Sequence, residues 1–255
     1  MRLCLKLAYV GTGYYGWQVQ AQGQALRTVQ GQLERALALL AREPVRAHGS
    51  GRTDAGVHAE EQVCHCDFPD ERYAAMKDMR HSLNSLLPDD ISVYSVTPAK
   101  ADFHARFDAH TKTYRYQFWQ DRGAVPPRLA PYVWKCGPLD AGRMQGALPL
   151  LQGRHDFACL ANAGTEREST VREILSLTLA ETRPRPELAP MLLLDVTGPG
   201  FLKQMVRNMA GLLADIGRGR LEARDIPRFL AGRSMALVPS PTAPARGLTL
   251  LKVTY

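Results

Sequence analysis

The chain has 255 residues, a formal net charge of +7 and a sequence pI near 9.3. Apolar residues make up 45% and charged residues 22%, a balance that excludes a disordered polyelectrolyte and suits a globular protein with a sizeable core. No run approaches the ~20 apolar residues of a membrane span. The opening Met1-Arg2-Leu3-Cys4-Leu5-Lys6 alternates polar and apolar residues and lacks the apolar core of a signal peptide. A soluble, cytoplasmic protein with no membrane association is therefore expected. Arginine supplies most of the positive charge, and its planar fork of donors fits phosphate, so nucleic acid or a phosphorylated ligand is a candidate partner. Five scattered cysteines, Cys4, Cys64, Cys66, Cys136 and Cys159, give no disulfide framework. On a strand, Cys64 and Cys66 share a face that excludes His65, and no second ligand pair has zinc spacing.

In the first half, Leu3, Leu5, Leu7 and Tyr9 alternate as a half-buried strand. A glycine-rich turn follows, Gly11-Thr12-Gly13-Tyr14-Tyr15-Gly16-Trp17. Thr28 caps a predicted helix with Val29, Leu33, Leu37 and Leu40 on one face, ending before Pro44. A short strand is predicted over 45–50, a loop over 51–58 and a strand over 61–68. A helix is predicted over 73–87, stopped by Pro88-Asp89, and then a strand carrying Ile91, Val93, Tyr94 and Val96. The order β-α-β-β-α-β is that of a ferredoxin-like α+β unit.

The second half opens after Phe103-His104-Ala105-Arg106-Phe107, with Tyr114, Tyr116 and Phe118 on a strand. Pro126, Pro127 and Pro131 mark a crossing, and 139–151 reads as a helix that Pro149 can end early. Leu175, Leu177 and Leu179 mark a strand, 181–190 a proline-bearing turn, and 191–197 the returning strand. Helices are predicted after Phe201 and over 221–230, and a strand over 248–255. The halves share element order without a sequence repeat. The expected division is 1–105 and 106–255.

The densest chemistry lies in Gly49-Ser50-Gly51-Arg52-Thr53-Asp54-Ala55-Gly56-Val57-His58. Glycine lets the backbone approach a ligand closely. Arg52 can hold a phosphate, and Asp54 can act as nucleophile, base or metal ligand. Alternatively, Asp54 caps backbone amides of a turn and pairs with Arg52.

The whole string resembles the active-site loop of the TruA-type tRNA pseudouridine synthases. Other blocks agree in order. Tyr9-Val10-Gly11-Thr12-Gly13-Tyr14-Tyr15-Gly16-Trp17-Gln18 is similar to the family's opening block. Phe103 to Ala109 and Lys112-Thr113-Tyr114-Arg115-Tyr116 resemble its middle. Phe201 to Asn208 and Pro241 to Leu248 resemble its C-terminal blocks.

The resemblance implies an isomerase that converts uridine to pseudouridine at positions 38 to 40 of the anticodon stem-loop of tRNA. It implies no cofactor or metal, a homodimer, and two ferredoxin-like (RRM-like) α/β halves with mixed, mostly antiparallel sheets around a central basic cleft. It implies Asp54 as catalytic carboxylate and Arg52 as the arginine that pairs with it and holds the flipped base out. It likewise implies Tyr114 packing on the base, Arg207 pairing with the aspartate from the second half, and Leu248 packing on the target uracil. Val10, Lys203, Gln204 and Arg246 depart from the residues common in relatives. No catalytic role is carried onto His58, His65, His104, His110 or His155. A non-catalytic RNA-binding module is the alternative from another class, and the Asp54 carboxylate argues against it. A metal-dependent nuclease needs converging carboxylates, which Glu60, Glu61, Asp67 and Asp70 do not offer by spacing.

Overall fold

The computed structural model describes residues 1–20, 26–162, 169–232 and 240–255. The chain divides into two compact units, Met1–His110 with Leu250–Tyr255, and Thr111–Thr249. In chain order the first holds β1 (Arg2–Tyr9), α1 (Val29–Ala41), β2 (His48–Gly49), β3 (His58–Asp67), α2 (Asp70–Ala74), α3 (Met79–Leu86) and β4 (Ile91–Pro98). The second holds β5 (Thr111–Trp119), β6 (Trp134–Lys135), α4 (Ala141–Leu151), β7 (Gly153–Asp156), β8 (Val171–Ile174), β9 (Ser176–Thr182), β10 (Met191–Gly198), α5 (Met205–Gly217) and α6 (Ile226–Ala231). β11 (Leu248–Thr254) comes last, its first two residues grouped with the second unit and the rest with the first. The division thus falls five residues after the expected one, and the final strand returns most of its length to the first unit.

In the first unit β1 lies between β4 and β3, antiparallel to both, and β11 follows beside β3. Leu3, Leu5 and Leu7 are fully buried, as are Leu33 and Leu37 of α1 and Leu83 of α3. Each such leucine contributes about 1.5–3 kcal/mol relative to exposure. The Thr28 hydroxyl accepts the Gly31 amide at 3.2 Å, a helix start worth ~1 kcal/mol.

Two predictions for this unit need correction. The helix over 73–87 is two helices, because the Asp78 carboxylate accepts the His81 amide at 3.0 Å and starts α3 afresh. The strand over 45–50 shrinks to His48–Gly49. Side chains of α1 claim the backbone at Ala47: Gln30 Nε2 donates to its carbonyl at 3.0 Å and its amide donates to Glu34 Oε1 at 3.0 Å. Those groups are then unavailable for a ladder.

In the second unit β10 runs antiparallel between β5 and β9, and the short β6 pairs parallel with β5. The fold is therefore mixed α/β. Tyr116, Phe118, Leu192, Leu194 and Val196 are fully buried. On the opposite face Arg115 grips Asp195, its directly facing partner, through Nε to Oδ1 at 2.8 Å and Nη2 to Oδ2 at 2.7 Å. β7 and β8 form a separate hairpin-like pair that periodicity does not reveal, since Gly153-Arg154-His155-Asp156 has no apolar alternation. Pro149 remains inside α4, which runs on to Leu151. The helix over 221–230 shortens to α6, preceded by a tight turn at Ala223–Asp225 in which Glu222 and Asp225 cap each other's backbone amides.

Candidate active site

The loop that carries Asp54 is clasped by the glycine-rich turn after β1. The Trp17 amide donates to the Thr53 carbonyl at 3.1 Å, and the Gly56 amide to the Tyr14 carbonyl at 3.3 Å. Within the loop, the Val57 amide donates to the Asp54 carbonyl at 3.1 Å. The two segments are so close that a Cβ on Gly11 would lie 2.0 Å from the Val57 carbonyl oxygen. Gly16, at φ +88°, would place a Cβ 2.5 Å from the Thr53 carbonyl oxygen. Glycine is required at both positions by contact, and at Gly16 also by its left-handed backbone.

Side chains complete the support. The Tyr9 hydroxyl meets Thr53 Oγ1 at 2.8 Å, and Gln62 Nε2 donates to the Gly51 carbonyl at 3.0 Å. Ser50 Oγ donates to Gln62 Oε1 at 2.6 Å. Burial pushes the Tyr9 phenol up to about 12, so the ring stays a neutral partner. His58 is buried and its Nδ1 accepts the Gly11 amide at 3.0 Å. Thr53, Val57 and His58 are thus buried around a half-buried Asp54, while Arg52 beside them is exposed. The main chain that carries Asp54 is held in a well-bonded frame, and a carboxylate on such a support is suited to nucleophilic or general-base work.

The turn itself has an anchor. Asp90 accepts the Tyr14 hydroxyl, and also Arg27 Nη2 at 3.1 Å. Its carbonyl accepts the Val10 amide at 2.9 Å.

Tyr114, Arg207 and Leu248 belong to the second unit. Tyr114 on β5 is 8% exposed and meets Phe201 edge-to-face, with centroids 5.2 Å apart at 88°. Arg207 is the one residue of α5 that is not buried. Its Nε donates to the Ala243 carbonyl at 2.8 Å, and the Ala243 amide donates back to the Arg207 carbonyl at 3.2 Å. Beneath it, the fully buried Asn208 donates to the Leu160 carbonyl at 2.8 Å and to Asn162 Oδ1 at 2.7 Å, and accepts Thr242 Oγ1 at 2.6 Å. This network fixes the first turn of α5 and hence the stem of Arg207. Leu248, 6% exposed, opens β11 just after Gly247, where a Cβ would meet the Tyr116 ring at 2.5 Å. The Tyr116 hydroxyl donates to the Pro244 carbonyl at 2.8 Å and locks the same segment.

The frame residues Tyr9, Gly11, Gly16, Thr53, Gln62 and Asn208 carry no chemistry that sequence reasoning could single out. Their partners lie up to 53 positions away. Only their presence inside the family-like blocks pointed to them, and Gln62, outside those blocks, had no signal at all. Cys64 and Cys66 are fully buried and free, and His65 lies on the other face of β3. Among the described residues no group of three or more His, Cys, Asp or Glu is placed to hold a metal ion, and no helix is long and apolar enough to cross a membrane.

Comparison with known proteins gives a consistent answer. A family model described as tRNA pseudouridine synthase matches residues 7–108 and 147–255. A tRNA pseudouridine synthase A of Nitratidesulfovibrio vulgaris is 46% identical over 278 residues, covering 100% of this chain and 99% of its own. The like-named proteins of Solidesulfovibrio magneticus and Lawsonia intracellularis are 47% and 43% identical, each across 100% of this chain and 91% and 99% of theirs. The chain belongs to the tRNA pseudouridine synthase A family, isomerases that turn uridine in tRNA into pseudouridine.

Proposed function

We propose that this enzyme acts on uridines at positions 38 to 40 of the tRNA anticodon stem-loop, with Asp54 as its nucleophile. The observation that carries the assignment is the clasped loop: a half-buried aspartate on a backbone held by contacts from the glycine-rich turn after β1. In the reaction the bond from ribose C1′ to uracil N1 breaks and a bond from C1′ to C5 forms. The C5 proton leaves and N1 gains one, so the change is an isomerisation without redox or added atoms. Asp54 takes up the sugar carbon while the base turns.

The target base must first leave its stack, at roughly a few kcal/mol. Tyr114 offsets part of that by packing on the extruded uracil, since a base–ring stack returns ~1–3 kcal/mol. Leu248 covers the uracil, Arg52 steadies the flipped nucleotide, and Arg207 supports the ionised carboxylate. In this proposal each unit is a ferredoxin-like (RRM-like) half, the pair borders a basic cleft, and the enzyme works without cofactor as a cytoplasmic homodimer.

The test uses tRNA carrying tritium at uracil C5. The parent enzyme is expected to release the label to water, and Asp54→Asn to bind tRNA but release none, because phosphate contacts supply most of the affinity. Release by Asp54→Asn near the parent rate overturns the assignment.

A further inference from the structure

The segment from Phe103 to Asp108 lies in the first unit. It is held from several sides. The Tyr255 hydroxyl donates to the Ala105 carbonyl at 2.7 Å, and the Phe103 ring packs on the Tyr255 ring at 5.2 Å. The Ala105 amide donates to His65 Nδ1 at 3.1 Å, and Ala105 is fully buried. His104 turns the chain: its Nδ1 accepts the Arg106 and Phe107 amides at 3.1 and 3.3 Å, and its own amide donates to Asp108 Oδ2 at 2.8 Å.

Yet this over-determined turn presents Phe107 to solvent, 74% exposed. Burying such a ring would gain about 1.5–3 kcal/mol, so its display is a cost that the fold sustains. The ring is not alone. His104 lies 4.3 Å from it at 33°, His65 is 4.6 Å from His104, and His48 stacks on His65 at 5.0 Å and 17°. Arg106 sits over the Phe107 ring at 5.5 Å. Arg46, exposed, is near enough to His48 to influence its protonation. The nearby cation Arg2 is already taken by Asp67 at 2.9 Å. Asp108 is the acidic group of the turn and is occupied by the His104 amide.

We propose that this turn, with His48 and Arg46, is a tRNA contact beyond the catalytic residues: Phe107 stacks on an unpaired base, and Arg46 and Arg106 hold its phosphates. The proposal rests on the chain's being a tRNA enzyme. Aromatic rings interleaved with arginines are what a single-stranded nucleotide requires, because every base has a face to stack and a phosphate to neutralise. The chain's charge of +7 complements the same polyanion. The well-bonded turn means that little backbone freedom must be lost on binding.

The test is tRNA binding by fluorescence anisotropy across a salt series, with urea midpoints to verify folding. Phe107→Ala should bind about tenfold more weakly with an unchanged salt slope, and Phe107→Trp should stay within twofold of the parent. Arg106→Ala should lower the slope by about 0.7–0.9. Binding by Phe107→Ala within twofold of the parent overturns the proposal. So does Phe107→Leu binding as tightly as the parent, since leucine keeps the apolar surface and loses the ring. Unchanged tRNA affinity with an altered sedimentation coefficient in Phe107→Ala would make the patch a protein interface instead. Because anisotropy needs no turnover, failure of the parent to release tritium would count against the enzymatic assignment and not against this contact.

Discussion

Replacing Gly16 with alanine should separate the frame of the active-site loop from its chemistry. The new Cβ would sit 2.5 Å from the Thr53 carbonyl oxygen and 3.1 Å from the Ala55 nitrogen and the Asp54 carbonyl carbon. All three neighbours are backbone, so no side chain can swing aside. Ordinary contact begins near 3.4 Å, so the peptide after Thr53 must retreat by about 1 Å, and misplacement on that scale can cost ~10²-fold in rate. The left-handed φ of +88° adds about 1–2 kcal/mol for a residue with a Cβ. Together the expected loss is about 2–4 kcal/mol of stability and roughly 10²-fold in turnover. Gly146→Ala is the control: it lies inside α4 with nothing within 4 Å of a built Cβ. It should be stabilised by about 0.5–1 kcal/mol. Urea denaturation and single-turnover tritium release measure the two effects. Parent-like turnover in Gly16→Ala would refute the idea that contact from this turn positions Asp54.

Further expectations follow from the same structure. Tyr9→Phe leaves Thr53 Oγ1 without its 2.8 Å partner and should cost about 1–3 kcal/mol, with slower turnover and unchanged tRNA affinity; equal loss of both would point to general unfolding. Asn208→Ala strips three partners from a fully buried site and should cost roughly 2–4 kcal/mol, which a urea midpoint equal to the parent's would contradict. Tyr114→Phe keeps the edge-to-face contact with Phe201 and should retain tRNA affinity, so a tenfold weaker Kd would show that the hydroxyl, rather than the ring, makes the contact. His65 is lowered from 6.5 to about 4, first by burial and then by His104, His48 and Arg2. The unfolded chain therefore binds the extra proton first, and stability should fall as pH drops from 6.5 towards 4. Urea midpoints at both ends should fall further for the parent than for His65→Gln, and equal falls would exclude His65 as a source.

The sequence made some features easy to find and hid others, for identifiable reasons. Asp54 and Arg52 were legible because their chemistry is contiguous, within one glycine-rich string. β1, β5 and β10 were legible because burial follows their period of 2, and α5 because Met205, Met209, Leu212 and Ile216 recur at helical spacing, although all of it but Arg207 is buried. The break between α2 and α3 was not, because the apolar pattern continues while Asp78 captures an amide. Nor was the loss of strand over 45–50, which depends on Gln30 and Glu34 reaching across from α1. Supports such as Tyr9 on Thr53 or Gly11 on His58 join positions 44 and 47 apart. No local pattern encodes such pairs.

The placement of β11 bears on how the protein is made. Residues 250–255 complete the first unit, where the His110 amide donates to the Thr254 carbonyl at 2.8 Å and Tyr255 ties down Ala105. Until they emerge from the ribosome, β3 lacks its neighbour β11, and an open strand edge invites wrong pairing. The turn bearing Phe107 also lacks the ring that anchors it. The unit translated first is therefore the last to be finished, after the whole of Thr111–Thr249 has been synthesised. Its long-range closure should set the pace of folding. Proteolysis of stalled nascent chains would show the first unit becoming resistant only when residues 250–255 are clear of the exit tunnel. One consequence is a safeguard: a chain lacking residues 250–255 carries Asp54 on a unit whose sheet is still without β11, so the fold that supports the site closes only once those residues have emerged.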